Sequence, residues 1–401
     1  MGKFFVIAYL AISNVVWFYT FNLGGLKMVL LVFILLTHLN IFTRLSNYRY
    51  KGLFLLYILS ILLSLYLHPP YDRNIFYFIF GFIENYIFLT LGYNYAKLGL
   101  ADNKFFTYIL IAIVPLCMLI ITNFLVGQPD WHSPAALAYY EEKLFEGFDA
   151  SIAPLYSTGF GIARTGWGNS LCQFIPLILL INSKSLKIKL RKYFIFLLVC
   201  GSVVLSQSRG GMLCMLSIFA LYSFNTIKKT TTRFYILSLL LLVAGILNLY
   251  WDQLSAFLRL SGSDDLTTGR YEQYAMLPYI LQNTDWTGFG LDNILLIFNR
   301  LGLGDTLHNT YLRLSIELGL AFACCLIVWI KITSHHALIA LRSADSLNST
   351  LSLIIFSGFI SGFFEPQAVW GATNWYCIWW FSIGFIINKN LSAPPIQILN
   401  Y

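Results

Sequence analysis

Charge is the scarcest property of this chain. Only 11% of its 401 residues are Asp, Glu, Lys or Arg, whereas 58% are hydrophobic. Soluble domains carry about a quarter charged residues. The shortage excludes an ordinary soluble domain and indicates an all-α polytopic integral membrane protein.

The chain also lacks the short motifs of the common metal, nucleotide and hydrolase sites. It has no DxD pair, no HExxH and no Cys/His cluster, so a metal-dependent phosphate site lacks its ligands. It has neither a glycine-lysine phosphate loop for ATP nor a GxSxG serine elbow. Its seven cysteines lie in apolar runs without CxxC spacing, and we interpret them as small core residues. We therefore expect no metal site and no cofactor.

Long apolar runs are abundant. A helix needs about 20 apolar residues to cross a bilayer untilted, and shorter runs can be completed by interfacial Trp and Tyr. The first run has no small-residue cleavage site after it, so we expect it to be retained as a span. Twelve candidate spans lie at about 4–21, 27–42, 53–67, 75–96, 105–126, 169–183, 193–206, 211–225, 234–250, 310–330, 349–364 and 373–388.

The distribution of charge orients these spans. If the N-terminus is cytoplasmic and the spans alternate, the inner loops hold most of the 26 basic residues but only Asp102 and Asp345 of the 18 acids. This is the pattern that the positive-inside rule requires, and it explains the net charge of +8 without a nucleic-acid partner. We predict one transmembrane domain over residues 1–401, with both termini cytoplasmic. Two large loops, at about 127–168 and 251–309, would face the periplasm and contain short helices, one of them near 271–282.

Arg209 is the most conspicuous cation on the predicted outer side. It precedes Gly210 and Gly211 at the outer start of the eighth span. A helix N-terminus offers unpaired N–H groups, the glycines admit an anion close to them, and a guanidinium grips phosphate oxygens in pairs. The pattern predicts a phosphate clamp. The alternative is an arginine that extends to the interface and caps a helix hairpin.

Two further positions on the same side carry chemistry. Arg270 follows Gly269 at the predicted start of the helix near 271–282, and it is either a second anion contact or a surface arginine paired with a nearby acid. His308 and Asn309 come directly before the tenth span. Imidazole is the usual general base near neutral pH, although a lone interfacial histidine is more often structural. Asn309 is a plausible N-cap of the following helix. The pair His335 and His336, by contrast, is predicted to lie in a cytoplasmic loop without a partner.

These motifs, in this order, resemble the O-antigen polymerase and O-antigen ligase superfamily. The resemblance is carried over about residues 155–330 by the Ser206–Gly211 stretch, Gly269 with Arg270, Gly288-Phe289-Gly290, His308 with Asn309, and Glu317-Leu318-Gly319. It implies a metal-independent, inverting glycosyltransferase of the bacterial inner membrane whose donor is an undecaprenyl-diphosphate-linked glycan. Arg209 and Arg270 would bind the diphosphate, and His308 would take the proton of the acceptor hydroxyl. Arg164, Gly210, Gly211 and Asn309 would contribute to substrate binding, and a chain-length-regulating co-polymerase is a further partner that the resemblance allows.

The resemblance leaves the acceptor open. A polymerase joins one lipid-linked repeat unit to another, whereas a ligase transfers the glycan to lipid A-core in lipopolysaccharide biosynthesis. Ligases tend to carry a second glycine three residues after the first, but Gly319 is followed by Leu320, Ala321 and Phe322. This difference and the long loops favour the polymerase. The ligase remains an alternative, and so does a lipid-linked glycan flippase, although flippases and other transporters place substrate charges near the bilayer midplane rather than at its outer boundary.

Overall fold

The described part of the chain is built from helices. A computed structural model describes residues 2–12, 24–42, 50–69, 75–126, 164–181, 185–206, 208–226, 270–284, 286–291, 293–301, 307–364 and 376–392. No strand occurs within these ranges, so the predicted all-α class is confirmed. The predicted ninth span, most of the first predicted outer loop and residues 251–269 of the second lie outside the described residues.

The helices are numbered in chain order. They are α1 (Gly2–Ile12), α2 (Gly24–Thr37), α3 (Leu39–Phe42), α4 (Lys51–Leu67), α5 (Ile75–Lys97), α6 (Asn103–Val126), α7 (Arg164–Cys172), α8 (Leu186–Leu205), α9 (Arg209–Thr226), α10 (Arg270–Gln282), α11 (Ile294–Arg300), α12 (Thr310–Leu341), α13 (Ser346–Ser361) and α14 (Cys377–Ser392). A 3-10 helix, Ile175–Leu180, follows α7.

By length and composition, α12 is the described helix that can cross a membrane alone. It has 32 residues and contains an 18-residue stretch with a mean hydropathy of 2.0, and shorter apolar helices of 10–17 residues accompany it. The count of twelve spans therefore stays a prediction. The helix predicted near 271–282 is confirmed by α10, and the tenth span begins where it was expected, although α12 continues past residue 330.

One predicted boundary was wrong. The run at 169–183 is not one α-helix, because α7 ends at Cys172 and a 3-10 helix with Pro176 at its start continues the chain. Proline lacks the N–H that a continuing α-helix would need. Helix α7 begins at Arg164, inside the first predicted outer loop, and the extent of that loop stays a prediction.

Among the described glycines, Gly92 and Gly384 mark the closest backbone approach, between α5 and α14. A Cβ added at Gly92 would lie 1.9 Å from the Phe381 carbonyl oxygen, and one added at Gly384 would lie 1.9 Å from the Leu89 carbonyl oxygen. Small residues let membrane helices approach until their backbones touch. The N-terminal and C-terminal parts of the chain are joined at this crossing.

Helix α4 packs antiparallel to α12. The hydroxyl of Ser64 donates to the Glu317 carbonyl oxygen at 3.2 Å near one end of the pair, and Tyr50 contacts the His336 ring nitrogen Nε2 at 3.1 Å near the other. Opposite directions are what strict alternation of the third and tenth spans requires.

His336 also contradicts an expectation. The prediction that His335 and His336 lie in a loop without a partner was wrong for His336, because α12 extends to Leu341 and buries this imidazole. Asn390 of α14 contacts its Nδ1 at 3.2 Å and donates to its carbonyl oxygen at 2.9 Å. His336 is a satisfied histidine of the helix core.

A buried ion pair lies among α1, α2, α5 and α14. The ammonium of Lys27 is 3.1 Å from a carboxylate oxygen of Glu84, whose side chain is fully buried. The Tyr9 hydroxyl donates to the same oxygen, and the Cys377 thiol lies 3.4 Å from it. One carboxylate therefore connects four helices.

Candidate functional site

Arg164 and Arg209 are each the first residue of a helix, and these two helices cross near their N-termini. Arg209 is the first residue of α9, and Arg164 is the first residue of α7. A Cβ added at Gly211 would lie 2.7 Å from the Gly168 carbonyl carbon, so the two backbones touch within about a turn of both arginines. The side chains of Arg164, Arg209 and Arg270 lie outside the described part of the chain.

A serine caps α9. The Ser208 hydroxyl accepts the N–H of Gly211 at 3.0 Å, and the Met212 N–H begins the helix by donating to the Ser208 carbonyl oxygen at 2.9 Å. The cap takes one of the donors that were expected to meet an anion. The contact with α7 explains why residue 211 is a glycine, because a larger side chain would not fit there. The role of Gly211 in substrate binding stays a prediction.

Gly210 faces two other parts of the chain. A Cβ added there would lie 2.8 Å from the Phe364 Cβ and 3.1 Å from both amide atoms of Asn169. Phe364 belongs to the turn 362–364, which follows α13. The start of α9 is therefore fixed between α7 and this turn.

The same turn holds the start of α12. The Thr310 N–H donates to the Gly362 carbonyl oxygen at 2.8 Å. Tyr311 lies across the turn, because its hydroxyl donates to the Phe359 carbonyl oxygen at 2.7 Å and its ring contacts Phe363 at a centroid distance of 4.9 Å. His308 comes two residues before Thr310. The contacts through 362–364 bring the starts of α9 and α12 within about 20 Å of each other.

Asn309 is an N-cap, as predicted. Its backbone is extended, with φ −157° and ψ 108°, and its side-chain oxygen accepts the N–H of Leu312 at 3.1 Å. The cap fixes where α12 begins and so fixes the backbone of His308, whose side chain is half-buried. The contribution of Asn309 to substrate binding stays a prediction.

Arg270 begins α10, a helix that packs beside the start of α12. Leu277 and Ile280 of α10 belong to one apolar cluster with Leu307 and Ile316, which flank and follow His308. The cluster is completed by Ile294 and Phe298 of α11. Helices α10, α11 and α12 therefore share one small apolar core at the His308 end of α12.

Helix α12 is broken at Gly319, where φ is 81° and ψ is 179°. Next to the break, two carbonyl groups of α12 accept hydrogen bonds from the loop 286–290 instead of from their own helix. The Phe289 N–H donates to the Ile316 carbonyl oxygen at 3.1 Å, and the Gly290 N–H donates to the Glu317 carbonyl oxygen at 2.8 Å. A Cβ added at Gly288 would lie 2.4 Å from the Gly319 nitrogen. Within a membrane, a freed backbone group has to find such a partner in the protein.

The segment between the cap and the break carries a second buried ion pair. Nε of Arg313 donates to a carboxylate oxygen of Glu317 at 2.8 Å, with exposed side-chain fractions of 5% and 0%. Arg313 was not among the predicted site residues. Its position four residues before a glutamate on an apolar helix was the available signal, because intramembrane charges are by default functional candidates.

Within the described ranges, no three His, Cys, Asp or Glu side chains come together in a way that would hold a metal ion. The arrangement instead offers three helices that begin with an arginine, α7, α9 and α10, and an imidazole just before the start of α12. Anions are stabilised at helix starts, and imidazole can accept a proton.

The comparison with known families agrees with the resemblance in the motifs. Residues 194–328 match the sequence model of the family described as O-antigen ligase. This third of the chain includes Arg209, Arg270, His308 and the Arg313–Glu317 pair, whereas Arg164 and residues 155–193 lie outside it. The predicted superfamily is confirmed over the matched residues. The family consists of glycosyltransferase-like enzymes of bacterial membranes, and the flippase alternative is not supported by it. No curated protein matches the chain.

Proposed function

We propose, from the premise that residues 194–328 are an O-antigen ligase-family region, that this chain is an O-antigen polymerase. It transfers a glycan from undecaprenyl diphosphate to the terminal hydroxyl of another lipid-linked repeat unit at the periplasmic face of the inner membrane. The observation that carries the proposal is the turn 362–364, which contacts both Gly210 and Thr310 and so brings the Arg209 and His308 helix starts together.

The proposed reaction is a single inverting displacement. The acceptor hydroxyl oxygen bonds to the anomeric carbon of the donor as the bond from that carbon to the diphosphate oxygen breaks on the opposite face. His308 takes the hydroxyl proton, and the guanidiniums of Arg209 and Arg270 stabilise the negative charge that stays on undecaprenyl diphosphate. Arg164, at the start of the helix that crosses α9, is a further contact for phosphate or sugar. No step needs a metal or a cofactor.

The proposed topology has twelve spans, both termini in the cytoplasm and the site in the periplasm. Several pairs of helices support it by their relative directions: α4 is antiparallel to α12, and α13 is antiparallel to both α12 and α14. The Ser352 hydroxyl contacts Ala337 near the α12–α13 turn, and Trp379 of α14 donates to the Ile355 carbonyl oxygen at 2.8 Å.

A purified, reconstituted chain tests the reaction directly. We expect it to extend lipid-linked repeat units in the presence of EDTA, because the proposed mechanism uses guanidiniums where other transferases use a metal. A strict requirement for added divalent metal would contradict the mechanism, and failure to extend the repeats under either condition would contradict the polymerase.

The ligase is the second candidate, favoured by the description of the matching family. A lipopolysaccharide gel of a deletion strain separates the two. A single repeat unit on the core indicates a missing polymerase. Bare core, with polymer accumulating on the carrier lipid, indicates a missing ligase.

A further inference from the structure

The Arg313–Glu317 pair lies in the piece of α12 between its N-cap and the break at Gly319, next to the proposed base. Asn309, Arg313 and Glu317 are four residues apart in turn and so lie along one face of α12. The piece ends at the break at Gly319, about 15 Å from the cap. Both charged side chains are almost completely buried in it.

The pair is arranged poorly for stabilising its own helix. An i,i+4 pair stabilises an isolated helix better when the acid comes first, and here the arginine comes first. A cation in the first turns of a helix also lies at the positive end of the helix dipole. Burying both charges removes them from water, which is seldom favourable overall. Local helix stability is therefore not a sufficient reason for this pair.

Glu317 links the ion pair to two neighbouring segments, the loop 286–290 and helix α4. Its carbonyl oxygen accepts from the Gly290 N–H at 2.8 Å and from the Ser64 hydroxyl at 3.2 Å, so the backbone of this residue is attached to the outer loop and to α4. Its carboxylate holds Arg313, and the Arg313 N–H donates to the Asn309 carbonyl oxygen at 2.9 Å. A path of direct bonds therefore runs from the loop after α10 to the cap beside His308.

We propose that Arg313 and Glu317 are positioning residues whose ion pair fixes the His308 end of α12 relative to the loop 286–290, which follows the helix that Arg270 begins. This inference rests on the proposed function, because it gives His308 and Arg270 a common reaction to be aligned for. The pair does not contact the substrate. It keeps the base and the second arginine of the site in register.

The test compares variants of the reconstituted full chain. In Arg313→Met and Glu317→Gln, we expect kcat to fall by up to about a hundredfold, a loss that a misplacement of about 1 Å can cause. We expect KM for the lipid-linked substrate to change less than kcat. The reversed pair, Arg313→Glu with Glu317→Arg, restores an ion pair and places the acid first. We expect it to recover most of the lost rate.

A matched control is the other buried ion pair, Lys27 and Glu84, which lies outside the matched family region. Lys27→Met should lower the thermal stability without changing kcat per folded molecule. If Lys27→Met and Arg313→Met lower kcat equally, the effect is a general one of buried charge, and the positioning role is wrong.

Two other outcomes overturn the inference while leaving the polymerase intact. An Arg313→Met variant that raises KM at an unchanged kcat indicates a direct substrate contact. A reversed pair that folds normally and stays as inactive as the single variants also excludes positioning by the ion pair.

Amide hydrogen exchange decides the inference even if the wild-type chain does not polymerise. Loss of the pair should speed exchange both at 286–290 and at the first turn of α12, because the piece of α12 between them would lose the ion pair that we propose fixes it. Unchanged exchange at either end in Glu317→Gln contradicts the proposal independently of any activity.

Discussion

The two buried ion pairs described above differ in what they connect. Lys27 and Glu84 lie on separate helices, and the same carboxylate is reached by Tyr9 and Cys377, so this pair joins four helices of the scaffold. Arg313 and Glu317 lie one turn apart on a single helix, between a cap and a break. An ion pair between separate helices can hold a fold together, whereas an ion pair within one helix acts through the short piece of helix that it holds in shape. We expect the first region to respond to substitution in stability and the second in rate.

The largest effect that would separate the two regions is expected at His308. His308→Ala should lower the polymerisation rate by about 10²- to 10⁴-fold, because the proposed general base is removed, while the half-buried position keeps the change in stability small. Turnover of lipid-linked repeats and the thermal unfolding midpoint of the purified variant measure both.

His335→Ala is the matched control, since this exposed histidine lies at the other end of the same helix. Equal loss of turnover in the two variants would remove His308 from the chemistry.

The next largest effect is expected in the scaffold. Lys27→Met leaves the fully buried Glu84 carboxylate without its ammonium, and breaking one side of a buried pair costs about 3–5 kcal/mol. We expect a lower unfolding midpoint and a lower level in the membrane. The double variant Lys27→Met with Glu84→Gln should recover a large part of the loss, and a double variant no more stable than the single one would contradict the ion pair's role.

A smaller effect on stability is expected from Gly92→Ala. The added methyl would lie 1.9 Å from the Phe381 carbonyl oxygen, so α5 and α14 must separate, at about 1–3 kcal/mol. The unfolding midpoint measures the change.

Gly52→Ala provides the control for Gly92→Ala, because a Cβ added at Gly52 would meet nothing within 4 Å. If both alanine variants unfold at the same temperature, the α5–α14 crossing does not limit stability.

The smallest effect is expected from Asn309→Ala, which removes the acceptor for the Leu312 N–H and costs about 1 kcal/mol. Asn309→Ser keeps a capping oxygen and should unfold close to the wild type. Turnover by the serine variant then tests the separate prediction that Asn309 binds substrate. A serine variant that is stable but inactive supports that role, and a fully active one contradicts it.

Local signals in the sequence were sufficient for some elements. The apolar pattern near 271–282 and the arginine before it gave α10 to within a residue, and an asparagine before an apolar run gave the cap of α12. Caps and periodicity depend on residues within a turn or two, so a single sequence contains them.

Contacts between distant residues were not accessible in this way. The motifs 288–290 and 317–319 were both recognised in the resemblance, yet nothing in either one indicates that Gly288 touches Gly319 or that the loop supplies N–H groups to the break. The predicted isolation of His336 failed for the same reason, because Tyr50 and Asn390 come from remote segments. Arg313 was overlooked because an arginine four residues before a glutamate is also a common surface pair, and its burial in the structure is what distinguishes it.

The glycine crossing of α5 and α14 has a consequence for biosynthesis. Gly384 is translated almost 300 residues after Gly92, which at about 5–20 residues per second is on the order of 15–60 seconds. Lys27 and Tyr9 precede Glu84 in the chain, so the carboxylate can be neutralised as it leaves the ribosome, well before its last neighbour arrives. The nascent protein can thus form its buried ion pair early, whereas the α5–α14 contact forms last. Cross-linking between α5 and α14 in arrested chains, at positions other than these two glycines, would time that contact.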